Sequence, residues 1–66
     1  MQASLDRPRL HRRLVRYRHY ADQALGEAAR TSVADVRRVF LAMAAQWRTL
    51  AEQIEQEMRQ REDGAA

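Results

Sequence analysis

Large apolar residues recur in alternating steps of three and four along the second half of the chain. They are Val33, Val36, Phe40, Met43, Trp47, Leu50 and Ile54. At 3.6 residues per turn, this spacing places them along one side of an α-helix, where a packed neighbour would cover them. The pattern therefore predicts a helix over about residues 33–61 that packs against a second helix, with the residues beyond it frayed.

The first half of the chain carries the same periodicity with smaller side chains. Its apolar positions are Leu10, Leu14, Tyr17, Ala21, Ala24 and Ala28. Asp6 is a candidate N-cap, and Pro8 is tolerated in a first helical turn because the N–H that it lacks has no partner there. We expect a helix over about residues 7–30, with residues 1–5 frayed.

The two patterns are out of phase, because the step from Ala28 to Val33 is five residues. A turn at residues 31–32 accounts for this break. Ser32 would cap the second helix, and Asp35 stands three residues further on, at the spacing of a capping box. The chain is thus expected to fold back on itself as an antiparallel hairpin.

In such a hairpin the two apolar patterns face each other in six layers. The expected pairs are Ala28 with Val36, Ala24 with Phe40, Ala21 with Met43, Tyr17 with Trp47, Leu14 with Leu50, and Leu10 with Ile54. Small residues near the turn oppose large ones, as facing layers of a packed core require. We interpret the pair of Tyr17 and Trp47 as core rather than as a ligand pocket.

With 66 residues and no cysteine, the chain is short for a stable fold. His11 and His19 have no ligand partners at metal-binding spacing, so neither disulfides nor zinc are expected to stabilise it. The second helix also has an apolar arc of roughly 140°, wider than one neighbouring helix covers. The predicted fold is therefore an all-α two-helix hairpin that dimerises into a four-helix bundle.

No catalytic arrangement is evident, because no serine or threonine has a histidine or carboxylate at an activating spacing. We expect a non-enzymatic protein without a cofactor or metal. The chain has no apolar stretch of membrane-spanning length and no leader-like apolar run near residue 1, so a cytoplasmic location is expected.

All twelve basic residues are arginines, and residues 7–19 contain six of them, two histidines and no acid. On a helix, Arg9, Arg12, Arg16 and His19 fall opposite the apolar side, where they would form a nucleic-acid-binding face. Alternatively this face is merely solvated, with the glutamates at positions 52, 55 and 57 as counter-charges. A helix lying on a membrane surface is a third interpretation, but it would require the apolar side to open.

Several segments resemble a widespread group of short, uncharacterised bacterial proteins with a tyrosine- and arginine-rich first helix and an alanine-, tryptophan- and leucine-rich second helix. These segments are Arg16-Tyr17-Arg18 through Ala28, Arg30-Thr31, Val36-Arg37-Arg38, residues 40–44 and residues 47–52. The resemblance covers about residues 13–56 and departs at the turn, where that group often has Asp-Pro. It implies a helical hairpin and no activity.

The functional prediction is a self-associating hairpin that acts as a protein interaction or regulatory module. The alternative prediction is a hairpin dimer that binds RNA or DNA through the arginine face.

Overall fold

The computed structural model describes the backbone of residues 2–65 and the side chains of residues 7–64. It contains two helices, α1 (Gln2–Arg30) and α2 (Ala34–Ala65), which pack against each other along their length. The molecule measures 50 × 15 × 11 Å, so the chain forms an extended hairpin. The predicted all-helical class and the fold-back between the helices are confirmed.

Both helices are longer than the sequence predicts. α1 begins at Gln2, so Asp6 lies inside it and does not cap it, and Pro8 lies in its second turn. Proline removes a single hydrogen bond there, and residues 2–5 include no glycine, proline or β-branched side chain to stop the helix. At the other end α2 continues through Ala65. The expected fraying at residues 1 and 66 lies outside the described residues.

The turn spans three residues, 31–33, and its cap differs from the predicted one. The carbonyl of Val33 accepts the first hydrogen bond of α2 from the N–H of Arg37 at 2.9 Å, which makes Val33 the N-cap residue. The hydroxyl of Thr31 accepts a hydrogen bond from the N–H of Val33 at 3.2 Å. Within residues 7–64, Ser32 makes no side-chain hydrogen bond, because the longer turn moves the cap one residue beyond it.

A side-chain contact also joins the end of α1 to the start of α2. The guanidinium of Arg37 donates a hydrogen bond to the carbonyl of Thr31 at 2.9 Å. The last carbonyls of a helix have no partner within the helix and carry partial negative charge. Arg37 therefore satisfies one of these acceptors and favours the sharp reversal at this point.

The core consists mainly of alanine. Five of the eight buried apolar residues are alanines, namely Ala21, Ala24, Ala28, Ala44 and Ala51. The other three are Leu10, Leu14 and Ile54. At the middle of the hairpin, the ring centroids of Tyr17 and Trp47 lie 5.5 Å apart, which confirms the predicted pairing of these two rings. Tyr20 lies on the other side of this pair, with its ring centroid 4.8 Å from that of Trp47.

The buried side of α2 is rotated relative to the prediction. Met43 and Leu50, expected in the core, are 40% and 39% exposed, whereas Ala44 and Ala51 are each 3% exposed. Leu14 consequently clusters with Ala51 and Ile54 and not with Leu50. The physical reason is size, because alanine permits a closer approach of helix axes than methionine or leucine does.

Because Ala44 is buried where the helices pack, we expect the size of a replacement side chain, and not its hydrophobicity, to decide whether it is tolerated there. We expect Ala44→Leu to lower the free energy of unfolding by about 1–3 kcal/mol, since the larger side chain must separate the helices. Ala45→Leu is the matched control, because Ala45 is exposed on the same helix. Urea denaturation followed by circular dichroism measures both; equal destabilisation would contradict the observed orientation of α2.

At Gly26, a substitution is expected to stabilise the hairpin. It lies within α1 without a positive φ angle, and an added Cβ would meet the Arg30 guanidinium at an ordinary contact distance of 3.6 Å. We expect Gly26→Ala to raise the free energy of unfolding by about 1 kcal/mol, because alanine is the better helix former. Gly64→Ala, next to the end of α2, should change it less. A loss of stability at position 26 would contradict this expectation.

Candidate functional site

A cleft with a volume of about 390 Å³ lies near the open end of the hairpin, away from the turn. The N-terminal half of α1 and the C-terminal part of α2 form its walls. We call it the arginine cleft, and its lining residues are Arg9, Leu10, Arg12, Arg13, Arg16, Glu57 and Arg61.

Helix periodicity brings these guanidinium groups together. Arg9, Arg13 and Arg16 stand at steps of four and three along α1, so they share one side of that helix. Arg61 follows Glu57 by four residues on α2 and donates a hydrogen bond to its carboxylate at 3.1 Å. Leu10 is buried against α2, and this packing fixes the position of the two charged helix segments relative to each other.

Six of the arginines pair with carboxylates. Between the helices, Arg7 pairs with Glu62, and Arg18 contacts Glu55 at 2.7 Å. Within the helices, ion pairs join Arg30 to Glu27, Arg38 to Asp35, Arg59 to Glu55, and Arg61 to Glu57. These exposed pairs each contribute little to stability, but they neutralise local charge.

The cleft arginines on α1 differ from these six because they have no carboxylate partner within residues 7–64. Among the residues whose side chains are described, Arg9, Arg12, Arg13 and Arg16 form no ion pair or side-chain hydrogen bond, and Arg48 is the fifth arginine of this kind. Four positive charges without a bonded partner therefore lie within the eight residues 9–16 of α1. Among the residues whose side chains the structure describes, Glu57 is the single carboxylate that lines the cleft.

The structure brings three of the four residues of the predicted nucleic-acid face into this cleft. Arg9, Arg12 and Arg16 line it, whereas His19 does not, and the His19 ring lies beside Tyr20 with centroids 6.3 Å apart. Arg13 and Arg61 also line the cleft, but the sequence pattern did not predict them. Arg13 could have been found, since it is four residues after Arg9, but Arg61 could not, because it reaches the site through the fold-back.

The glutamates that were expected to neutralise the cleft mostly pair with arginines other than those on its α1 side. Glu55 contacts Arg18 and Arg59, and Glu57 pairs with Arg61 on its own helix. Glu52 forms no ion pair within residues 7–64. The glutamates of α2 thus leave the α1 side of the arginine cleft without a bonded partner.

A second surface feature is an exposed apolar stripe on α2. We call it the apolar flank, and it consists of Val36, Val39, Met43 and Leu50. At 100° per residue these side chains fall within an arc of about 60°, and they extend for about 21 Å along the helix. Aligned exposed apolar residues, unlike scattered ones, are typical of an interaction surface.

Two other kinds of site, a membrane span and a metal centre, have no candidate in the described part of the chain. No helix there is long and apolar enough to cross a membrane. No group of three or more histidine, cysteine or acidic residues within it could hold a metal ion.

Comparison of the chain with protein-family models, with curated proteins and with solved structures finds no match. The resemblance to the group of short bacterial hairpin proteins therefore stays a prediction. Any functional proposal depends on the two surfaces themselves.

The unpaired charges of the cleft predict that neutralising one of them stabilises the hairpin. Arg13 has like-charged neighbours one turn away on both sides, Arg9 and Arg16, and each such pair costs about 0.2–0.5 kcal/mol. We expect Arg13→Gln to raise the free energy of unfolding by about 0.5 kcal/mol at low salt and to lose this effect at high salt. Arg48→Gln is the control, since no arginine lies one turn from Arg48. Salt-independent stabilisation would contradict the electrostatic explanation.

Proposed function

We propose that this protein is a non-enzymatic helical hairpin that self-associates through its apolar flank and functions as a protein interaction or regulatory module. The observation that carries the proposal is the continuous exposed stripe on α2. Its four side chains remain 39–59% exposed although they lie beside the buried core.

The spacing of the stripe suits a second copy of the same chain. Met43 stands seven residues after Val36 and seven residues before Leu50. A two-fold axis passing near Met43 would place Val36 of one copy opposite Leu50 of the other in an antiparallel helix pair. Steps of seven are the repeat with which packed helices keep one side in contact, and a two-fold interface uses the same patch on both subunits.

The small core also favours assembly. No described large side chain is fully buried within the hairpin, and even Leu10, Leu14 and Ile54 keep a little exposure. Domains of this size generally need disulfides, metals or oligomerisation for stability. With no cysteine in the chain, a dimeric four-helix bundle supplies the missing apolar burial.

The hydroxyl groups of the described residues support a non-enzymatic role. Thr31 accepts a hydrogen bond from the backbone at the turn, and Thr49 donates one to the carbonyl of Ala45 at 3.0 Å. A nucleophilic hydroxyl instead needs an adjacent general base. Neither threonine has a histidine or carboxylate as its hydrogen-bond partner.

The proposal predicts that a charge in the apolar flank separates the copies. We expect sedimentation equilibrium at micromolar concentration to show a dimer for the original chain and a monomer for Leu50→Glu, because the carboxylate would be desolvated in the interface. Leu41→Glu is the matched control. Leu41 has similar exposure, lies on the same helix and is about 180° away from Leu50.

Circular dichroism distinguishes dissociation from unfolding in these variants. If Leu50→Glu unfolds at working concentration, Met43→Gln provides a milder test, with a weaker dimer as the expected result. A folded monomer for the original chain at micromolar concentration would overturn the proposal. Equal dissociation in Leu41→Glu would show that the apolar flank is not the interface.

A further inference from the structure

We propose that the arginine cleft is a binding site for the phosphate backbone of nucleic acid. The site lies within one hairpin and uses none of the residues of the apolar flank. It therefore adds a second activity to the proposed self-association and can be tested separately from it.

The distribution of ion pairs is the first argument. Six of the twelve arginines contact a carboxylate, and Arg37 binds the carbonyl of Thr31. Of the five others, all except Arg48 line one cleft. Guanidinium groups that repel one another along a helix destabilise it unless an anion is bound between them. The cleft thus concentrates the positive charge that the hairpin itself does not neutralise.

The spacing of the charges is the second argument. Arg9 and Arg16 are separated by seven residues, or about 10 Å along the helix axis, so the row of charges is longer than one phosphate group. Arg9 and Arg13, like Arg12 and Arg16, stand about 6 Å apart along the axis. A sugar separates successive phosphates in a nucleic-acid strand, whereas those of inorganic polyphosphate share an oxygen and lie closer together. The wider spacing favours the nucleic-acid strand.

The burial of the neighbouring apolar residues argues against a membrane surface. A helix that lies on a membrane inserts its apolar side into the lipid. Leu10, which lines the cleft, and Leu14 are instead buried against α2. Among the large apolar residues of positions 10–16, Val15 alone is exposed. One valine is a weak anchor for a membrane, so the surface around the cleft better matches phosphate-backbone binding.

Fluorescence anisotropy with a labelled oligouridylate of about 12 nucleotides tests this proposal. Each phosphate contact to a single strand contributes about −0.7 to the slope of log affinity against log salt. Four contacts give a slope of about −3 and a roughly 50-fold loss of affinity between about 50 and 200 mM salt. We expect the double variant Arg12→Gln/Arg16→Gln to bind at least tenfold more weakly and to reduce the slope by about 1.4.

Two matched controls separate the cleft from overall charge. Arg38→Gln/Arg48→Gln removes the same charge from exposed positions outside the cleft and should change affinity less than twofold. Glu57→Gln removes the carboxylate of the cleft and should strengthen binding, whereas Glu52→Gln, outside it, should not. Equal losses in the two arginine double variants would overturn the assignment to the cleft.

Two further probes test the class of ligand. Long-chain inorganic polyphosphate and anionic phosphatidylserine vesicles are each added as competitors at phosphate concentrations equal to that of the oligonucleotide. We expect neither to displace half of the bound oligouridylate. Stronger competition by either one, or no oligonucleotide binding at about 50 mM salt, would overturn the proposal, whatever the oligomeric state of the protein.

Discussion

The burial of alanine side chains where the two helices pack is the constraint on which the rest of the structure depends. Ala21, Ala24 and Ala28 on α1 are buried together with Ala44 and Ala51 on α2. An interface of small side chains brings helix backbones close together, and the distance between helix axes depends directly on the residues at the contact. Larger residues can then be accommodated only near the open end or beside the contact.

This constraint explains both surface features. Near the turn, Val36, Val39 and Met43 are displaced from the contact and become part of an exposed stripe, whereas Phe40 stays half-buried. At the open end, Leu10 and Leu14 pack with Ile54 and hold the arginine-rich segment of α1 against the end of α2. The same packing that forms the hairpin thus produces an apolar surface and a basic one.

The two surfaces differ in their physical demands. Apolar side chains are stabilised by removal from water, so the apolar flank gains from a partner that excludes solvent. The guanidinium groups of the arginine cleft retain favourable interactions with water and gain mainly when an anion replaces their counterions. A hairpin of this shape can therefore combine self-association along one stretch with charge-dependent binding at its open end, without competition for the same residues.

The sequence alone determined the two helices, the position of the turn to within a residue, and the pairing of Tyr17 with Trp47. The helices and the turn follow from local periodicity. The pairing follows because Tyr17 and Trp47 are each 15 residues from Ser32, at which the chain was expected to turn. Most of the arginine cleft was also visible, because Arg9, Arg12 and Arg16 share a side of one helix. Such features need no knowledge of what the helices pack against.

The tertiary structure alone decided which side of α2 is buried. Periodicity marks a broad apolar arc but does not choose among the residues within it, and large side chains suggested Met43 and Leu50. Close packing selected Ala44 and Ala51 instead, since the contact depends on the shape of both helices at once. Arg61 likewise joins the cleft only because the chain folds back, a long-range consequence that the local spacing of charges does not contain.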